Sequence, residues 1–253
     1  MKISIVTAVY NAQDTIGEAV RSVANQRYGN LEHLIIDGLS RDSTLSALDA
    51  VSHDRMIVHS EADNGIYDAI NKGIARASGD VIGLVHSDDL LAHDGVLERI
   101  ADAFGDENVE AVYGDLDYVA QGDTRRVIRH WSSGEFNPAR LRRGWMPPHP
   151  TLYLRRGVFE RIGRYNTQFR IAADYDFILR YFSQTKAIPV YLPEVLYTMR
   201  MGGVSNRDLS RIIQKSREDL IALRQNRIGG MGTLLTKNVS KLGQFVLRRT
   251  TGA

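Results

Sequence analysis

The sequence predicts an α/β protein: a mixed, mostly parallel central sheet flanked by helices, with a helical tail at the C-terminus. Three observations carry this. From residue 1 to about 105, short apolar, β-branched runs alternate with segments whose apolar residues recur at helical spacing, the pattern of βαβ units. Each strand-like run closes on Asp, Asn, Ser or Gly. The chain has 253 residues, 43% hydrophobic and 25% charged, which suits one large α/β domain or two small ones.

The elements follow in order. Residues 3–9 read as a buried strand ending at Asn11, and Ile16, Ala19, Val20 and Val23 mark a helix within 15–26. A second strand over 31–36 ends at Asp37-Gly38, and Ser40 to Ser43 offers caps for a helix through Val51. Strands are expected at 56–59 and 80–85, with a helix over 66–77 between them. Further on, strands are expected at 109–118, 124–131 and 188–192, and helices at 156–162 and 175–184, with a Pro/Gly-rich loop over 144–150. Residues 1–105 and 106–206 are expected to form two halves of the same domain, and 207–253 the tail.

Composition excludes several classes. Lys+Arg is 32 against Asp+Glu 30, so the whole molecule is no general polyanion binder and no nucleic-acid partner is expected. With no cysteine there is no disulfide framework, thiolate zinc site or cysteine nucleophile. The apolar N-terminal run is too short for a signal sequence, and nothing approaches the ~18–20 apolar residues of a membrane span. A cytoplasmic location is expected. No G-x-G-x-x-G follows the first strand, and no P-loop, G-x-S-x-G or H-E-x-x-H occurs.

In an open parallel sheet, ligands bind beyond the carboxyl ends of the strands. Residues 7–11, 37–42, 61–67 and 86–89 all fall there. Asp and Gly after a strand also make ordinary turns and caps, but four such segments on one edge point to a site. Ser87-Asp88-Asp89 says most: adjacent carboxylates repel unless a cation or donor offsets them. Mg²⁺ binds through one or two carboxylates completed by substrate phosphates, so a metal–diphosphate site fits. Asp174 falls at a helix N-terminus, where it serves either as a cap or as a general base.

These residues carry a resemblance. ISIVTAVYNA, DGLSRDST, EADNGIYDAINKGIARASGD, HSDD and AADYDFILR stand in the order found in family 2 glycosyltransferases, which have the GT-A, Rossmann-like nucleotide-diphospho-sugar transferase fold. The resemblance spans about residues 1–205, and it implies that 1–105 is the donor-binding half and 106–206 the acceptor-binding and catalytic-base half of one domain. YGDLDYV, GWMPPHPTLYLRR and MRMGGVSN add likeness to bacterial enzymes of exopolysaccharide, lipopolysaccharide or glycolipid assembly, such as those of colanic acid. It implies a donor site formed by Thr7, Val9, Asn11, Asp37, Asp63, Asn71, Lys72, Ser87, Asp88 and Arg200, with Tyr67 and Asp68 nearby. Asp89 would ligate Mn²⁺ or Mg²⁺, and Asp174 would be the base of an inverting transfer. The sequence departs from the family at Gly38, where many members have a second acid, at Ile70, where the family has arginine, and at Ala173, where it has glutamate.

The implied reaction passes a sugar from a nucleoside-diphosphate donor to a hydroxyl of a glycan or polyprenyl-linked acceptor. Trp145 and His149 are weaker candidates: Trp145 for the acceptor site, though a large aromatic is more often core or wall, and His149 for the metal, the diphosphate or the acceptor, equally readable as a packed loop residue. Arg200, Gly203 and Ser205 suggest a loop closing on the diphosphate. A sugar-nucleotide nucleotidyltransferase would need a basic glycine-rich loop near Tyr10-Asn11-Ala12, which is absent. Intact Asp88, Asp89 and Asp174 argue against an inactive scaffold. In the tail, Met231, Leu234, Leu235, Val239, Leu242, Phe245 and Val246 recur at helical steps beside Lys237, Lys241, Arg248 and Arg249. That pattern fits either peripheral contact with the inner face of the cytoplasmic membrane or packing on the domain or on a second subunit, as in a homo-oligomer.

Overall fold

The first strand, β1 (Ile3–Val9), is buried at every residue, as a strand covered on both faces must be. The structure is a computed structural model and describes residues 1–201 and 209–243. After β1 come α1 (Ile16–Ala24), β2 (Leu31–Asp37), α2 (Thr44–Asp49), β3 (Met56–Ser60), α3 (Ile66–Arg76) and β4 (Val81–Leu84). The four strands pair in parallel in the order β3-β2-β1-β4, so their carboxyl ends share one edge. Every element expected in this half is present, with boundaries shifted by a few residues.

The second half adds β5 (Leu90–Leu91), α4 (Val96–Ala103), β6 (Ala111–Ala120), β7 (Asp123–Trp131) and α5 (Pro138–Leu141). A 3₁₀ turn (His149–Thr151) leads to β8 (Tyr153–Arg155), α6 (Arg156–Ile162), α7 (Ala173–Gln184) and β9 (Val190–Arg200). The tail forms α8 (Leu209–Gln225) and α9 (Met231–Gly243). Together the strands make one nine-stranded sheet, in which β8 lies antiparallel between β4 and β6 while β9 runs parallel to β6. The expected α/β class, with its mostly parallel first half and flanking helices, is therefore observed.

β9 is much longer than the strand expected at 188–192. Pro193 reads as a break, since proline cannot donate to a ladder. The sheet absorbs it in a bulge: the register jumps from Tyr113↔Tyr191 to Asp115↔Val195. Gly114 permits the close approach, because a Cβ there would lie 2.5 Å from Leu196 Cγ. Beyond the bulge the strand continues to Arg200, beside Val119.

Two cores flank the sheet. Ile3, Ile5, Ala19, Val23, Val96, Leu97 and Ile100 join the sheet to α1 and α4, and α2 sits with α1 through Leu48. On the other face Val6, Ala8, Ile70, Ile74, Phe177, Ile178 and Tyr181 bind α3 and α7, and Ala222, Leu223 and Leu234 bring α8 and α9 onto the same core. Gly73 lets α3 sit on β1, since a Cβ there would lie 2.3 Å from Val6 Cγ1.

One core feature is sensitive to acid. His33 is fully buried in β2, with Nε2 2.9 Å from Thr7 Oγ1 and its ring stacked 5.9 Å from His53. Burial, with the His53 charge adding, pulls its pKa down to about 3. The unfolded chain then binds more protons between that value and about 6.5, so this stability is present above about 6.5 and falls with pH at ~1.4 kcal/mol per unit. Urea unfolding at pH 7.5 and pH 5.0 should show His33→Asn losing about 2 kcal/mol less than the natural protein over that interval. Equal losses would exclude His33 as a source of the acid sensitivity.

Candidate active site

The β4 strand ends in a turn, His86 to Asp89, closed by the Asp89 N–H donating to the His86 carbonyl at 3.1 Å. Asp89 is 2% exposed. Its Oδ1 accepts the backbone N–H of Arg200 at 3.0 Å, and Arg200 Nη1 donates to the Asp88 carbonyl at 2.5 Å. Arg200 Nη2 meets Glu18 of α1. Burial drives the Asp89 pKa well up and the Asp88 charge adds to this, opposed by the Arg200 N–H and guanidinium. A cation beside the pair would relieve the same strain.

Across the crevice, Asp174 lies in the first turn of α7. Tyr67 Oη donates to the Ile171 carbonyl at 2.7 Å and lies 3.2 Å from Asp174 Oδ1. The two acidic centres meet electrostatically at His86. Burial lowers its pKa, while the Asp88 and Asp174 charges both oppose that shift. His86 stacks 6.0 Å from His149, whose Nε2 lies 2.7 Å from Tyr165 Oη. Burial pulls His149 down to about 4. Near neutral pH the His149 imidazole is uncharged. A cavity of about 280 Å³ opens beside Tyr67, bounded by Asn64, Asp68, Phe169 and Arg170.

The donor-side residues divide. Asp37 is buried at the end of β2 and accepts Ser60 Oγ at 2.6 Å. Asp63 packs against Gly38, where a Cβ would lie 2.4 Å from its Oδ2, so its carboxylate occupies the space that a side chain at position 38 would enter. Asp37, Asp63, Ser87 and Asp88 all stand at the shared strand edge. Lys72 Nζ donates to the Ala62 carbonyl at 2.5 Å and neighbours Asp68.

Several expectations change. Thr7 and Val9 are core residues: strand alternation turns them into the α1 layer, where Thr7 bonds His33 and Val9 packs with Ile16, Val20, Ile35 and Leu48. Asn11 accepts the Arg41 N–H at 2.8 Å and donates its own N–H to Ser40 Oγ at 2.9 Å, tying two loops together. Asn71 spends its amide on Tyr165, donating to the carbonyl at 2.8 Å and accepting the N–H at 2.9 Å. Arg200 is the last residue of a strand, 9% exposed, and brackets the acidic turn instead of riding a loop. Trp145 joins an aromatic cluster with Phe136 and Phe182, its Nε1 donating to the Ser133 carbonyl at 2.7 Å. Gly203 and Ser205 lie outside the described residues, as do Phe245, Val246, Arg248 and Arg249. Tyr165 and Glu18 join the site without having been singled out, and nothing in the sequence marks them. His86 joins it as well, having been marked only as the first residue of the 86–89 segment, two positions before the acidic pair.

Among the described residues no three His, Asp or Glu side chains converge as a metal cage. The chemistry on offer is instead one or two hard carboxylate oxygens on a turn whose charge is poorly compensated. That suits Mg²⁺ or Mn²⁺ completed by a diphosphate.

Residues 4–168 match the family described as Glycosyl transferase family 2. A PGL/p-HBAD biosynthesis glycosyltransferase of Mycobacterium bovis is 32% identical over 208 residues, covering 80% of this chain and 78% of that one. An uncharacterized glycosyltransferase of Haemophilus influenzae is 24% identical over 90% of this chain and 75% of that one. Among solved structures, S. aureus TarS 1-349 in complex with UDP-GlcNAc superposes with a TM-score of 0.70 at 17% identity, over 100% of this chain and 75% of that one. The mannosyltransferase PcManGT from Pyrobaculum calidifontis, in complex with GDP-Man and Mn2+, gives 0.62 at 17% identity, over 100% of this chain and 76% of that one. The chain belongs to glycosyl transferase family 2 and is a glycosyltransferase of the GT-A fold.

Asn71 provides a check on these placements. Asn71→Ala leaves the N–H and carbonyl of Tyr165 without their partner and should cost about 2–3 kcal/mol in urea unfolding. Nucleotide affinity, measured by calorimetry, should change less than about threefold, under 0.7 kcal/mol.

Proposed function

We propose that this enzyme moves a sugar from a nucleoside-diphosphate donor to a hydroxyl of a glycan or lipid-linked acceptor, with inversion, in cell-surface polysaccharide or glycolipid biosynthesis. The observation that carries the reading is that a buried acidic turn at the end of β4, Asp88–Asp89, and a carboxylate at the start of α7, Asp174, flank His86, which feels the charges of both Asp88 and Asp174. The donor-bound complexes of TarS and PcManGT support a nucleotide-sugar substrate. The mycobacterial relatives, named for PGL/p-HBAD biosynthesis, support a biosynthetic role.

In this reading Asp37 and Asp63 face the nucleoside, and Asp89, with Asp88, would hold Mn²⁺ or Mg²⁺ against the diphosphate. Such an ion supplies positive charge where the leaving diphosphate becomes more negative. Arg200 keeps the acidic turn in place. Asp174 accepts the acceptor hydroxyl's proton as the oxygen attacks the anomeric carbon, a contribution of ~10²–10⁴ in rate. Tyr67 orients the Asp174 carboxylate, and His86 and His149 line the crevice beside it. A base on the face opposite the leaving group gives one displacement and one inversion.

Asp89→Ala should abolish turnover and remove any metal dependence of donor binding, whereas Asp174→Asn should keep donor affinity and lose about 10²–10⁴-fold in transfer. A panel of UDP-, GDP- and dTDP-sugars with Mn²⁺, read by thermal shift, identifies the donor for both assays. Product from an α-linked donor should be β-linked. Retained configuration would refute single displacement.

A second observation concerns location. Among the described residues no helix is long and apolar enough to cross a membrane. α9 nevertheless presents Met231, Leu235 and Val239 at 63%, 66% and 57% exposure, in i, i+4, i+8 register along one face. Of the basic residues expected on the membrane side, Lys237 turns inward and pairs with Asp219 at 2.8 Å, because the helix also packs on the domain. We infer that the outer stripe rests peripherally on the membrane while the inner one packs. Full-length protein should sediment with anionic liposomes at low salt, and the M231E/L235E/V239E variant should not. Equal sedimentation of both removes the stripe as the contact.

A further inference from the structure

The helix that carries Asp174 cannot cap itself. Its N-cap residue is Ala172, with no side-chain acceptor, and the residue before it is Ile171. N–H groups at a helix start need a partner when water is excluded. Here the partner comes from another helix: Glu218 of α8 accepts the N–H of Ile171 at 2.8 Å and of Ala172 at 2.9 Å through one oxygen, Oε2. Its other oxygen accepts Gln214 Nε2 at 2.9 Å, and the residue is 9% exposed. A carboxylate at this end also meets the positive pole of α7.

The same peptide is held from its other side. Tyr67 Oη donates to the Ile171 carbonyl at 2.7 Å and lies 3.2 Å from Asp174 Oδ1. Ile171 is therefore gripped at its N–H by α8 and at its carbonyl by α3, three residues before the carboxylate. Around this point the tail is firmly seated. Asp219, 3% exposed, pairs with Lys237 of α9 at 2.8 Å, and the Lys237 ammonium lies 3.1 Å from the Tyr175 ring centroid. α9 reaches the 144–150 loop at Gly144, whose φ of +83° suits glycine and where a Cβ would lie 2.4 Å from Lys237 Cβ. Lower on α7, Asn226 Nδ2 donates to Asp176 Oδ1 at 3.0 Å.

We propose that Glu218 is a positioning residue: by capping α7 from α8 it fixes the turn that presents Asp174, so acceptor transfer depends on the C-terminal helices. This rests on Asp174 being the base. A displacement of about 1 Å at such a group is enough to cost ~10²-fold in rate.

Glu218→Ala should lower kcat for transfer about 10–100-fold while donor KM changes less than about twofold, the split expected when only the reacting group moves. Hydrogen exchange followed by mass spectrometry should show faster exchange in the peptide containing the Ile171 and Ala172 amides. Glu218→Gln, which keeps an acceptor oxygen, should restore most of both. If Glu218→Ala does not accumulate folded, Glu218→Asp, one methylene shorter, should show the same split at smaller size. Unchanged exchange, or faster exchange with unchanged kcat, overturns the proposal. Full transfer by Asp174→Asn would instead overturn the base assignment, while the exchange result still reports on the cap.

Discussion

The arrangement turns on an electrostatic constraint, two adjacent carboxylates at the end of a buried strand. Asp89 is nearly inaccessible to water and Asp88 stands beside it, so burial and like charge both work against ionisation. The fold answers with Arg200, whose backbone N–H bonds one carboxylate and whose guanidinium bonds the carbonyl of the other residue. That answer requires β9 to run past its proline to a point opposite the turn. The bulge at Gly114 and the pairing of β9 with both β6 and β5 are what bring it there. Arg200 also engages Glu18 of α1, so the acidic turn is held between the sheet and the first helix.

The same constraint explains why the site draws on both halves of one sheet. In the proposed function this turn would hold a divalent ion whose coordination a diphosphate completes. In the proposed reaction, the group that takes a proton from the acceptor has to stand apart from that turn. Asp174 does so on α7, in a layer built by α3, α7, α8 and α9. Tyr67, Tyr165, His86 and His149 bridge the gap with hydrogen bonds and ring contacts. Burial favours the neutral form of both histidines and pulls the His149 pKa down to about 4.

The tail has two faces with different work. Leu234 and Lys237 turn inward, the lysine compensated by Asp219 and the Tyr175 ring, while Met231, Leu235 and Val239 turn out. A basic residue on an amphipathic helix is read by default as surface charge, and Lys237 shows how a single buried acid on a neighbouring helix reverses that reading. Glu218, next in sequence to that acid, gives the tail a direct connection to the α7 turn.

Much of this was legible from the chain alone. The alternation of apolar runs with helical spacing sufficed for β1 to β4 and the helices among them, because parallel strands buried on both faces leave a strong one-dimensional pattern. The acidic pair at 88–89 and the carboxylate at 174 were visible for the same reason: local sequence places them at element ends. What only the tertiary structure decided involves partners distant in sequence. Thr7 and Val9 face a helix because of strand parity, Asn71 is consumed by a backbone 94 residues away, and Asp63 fills the gap left at Gly38. Arg200 reaches Asp89 across 111 residues, and the cap of α7 comes from Glu218. Periodicity reports which face of an element is buried, whereas the identity of a long-range hydrogen-bond partner is set by how the finished layers pack.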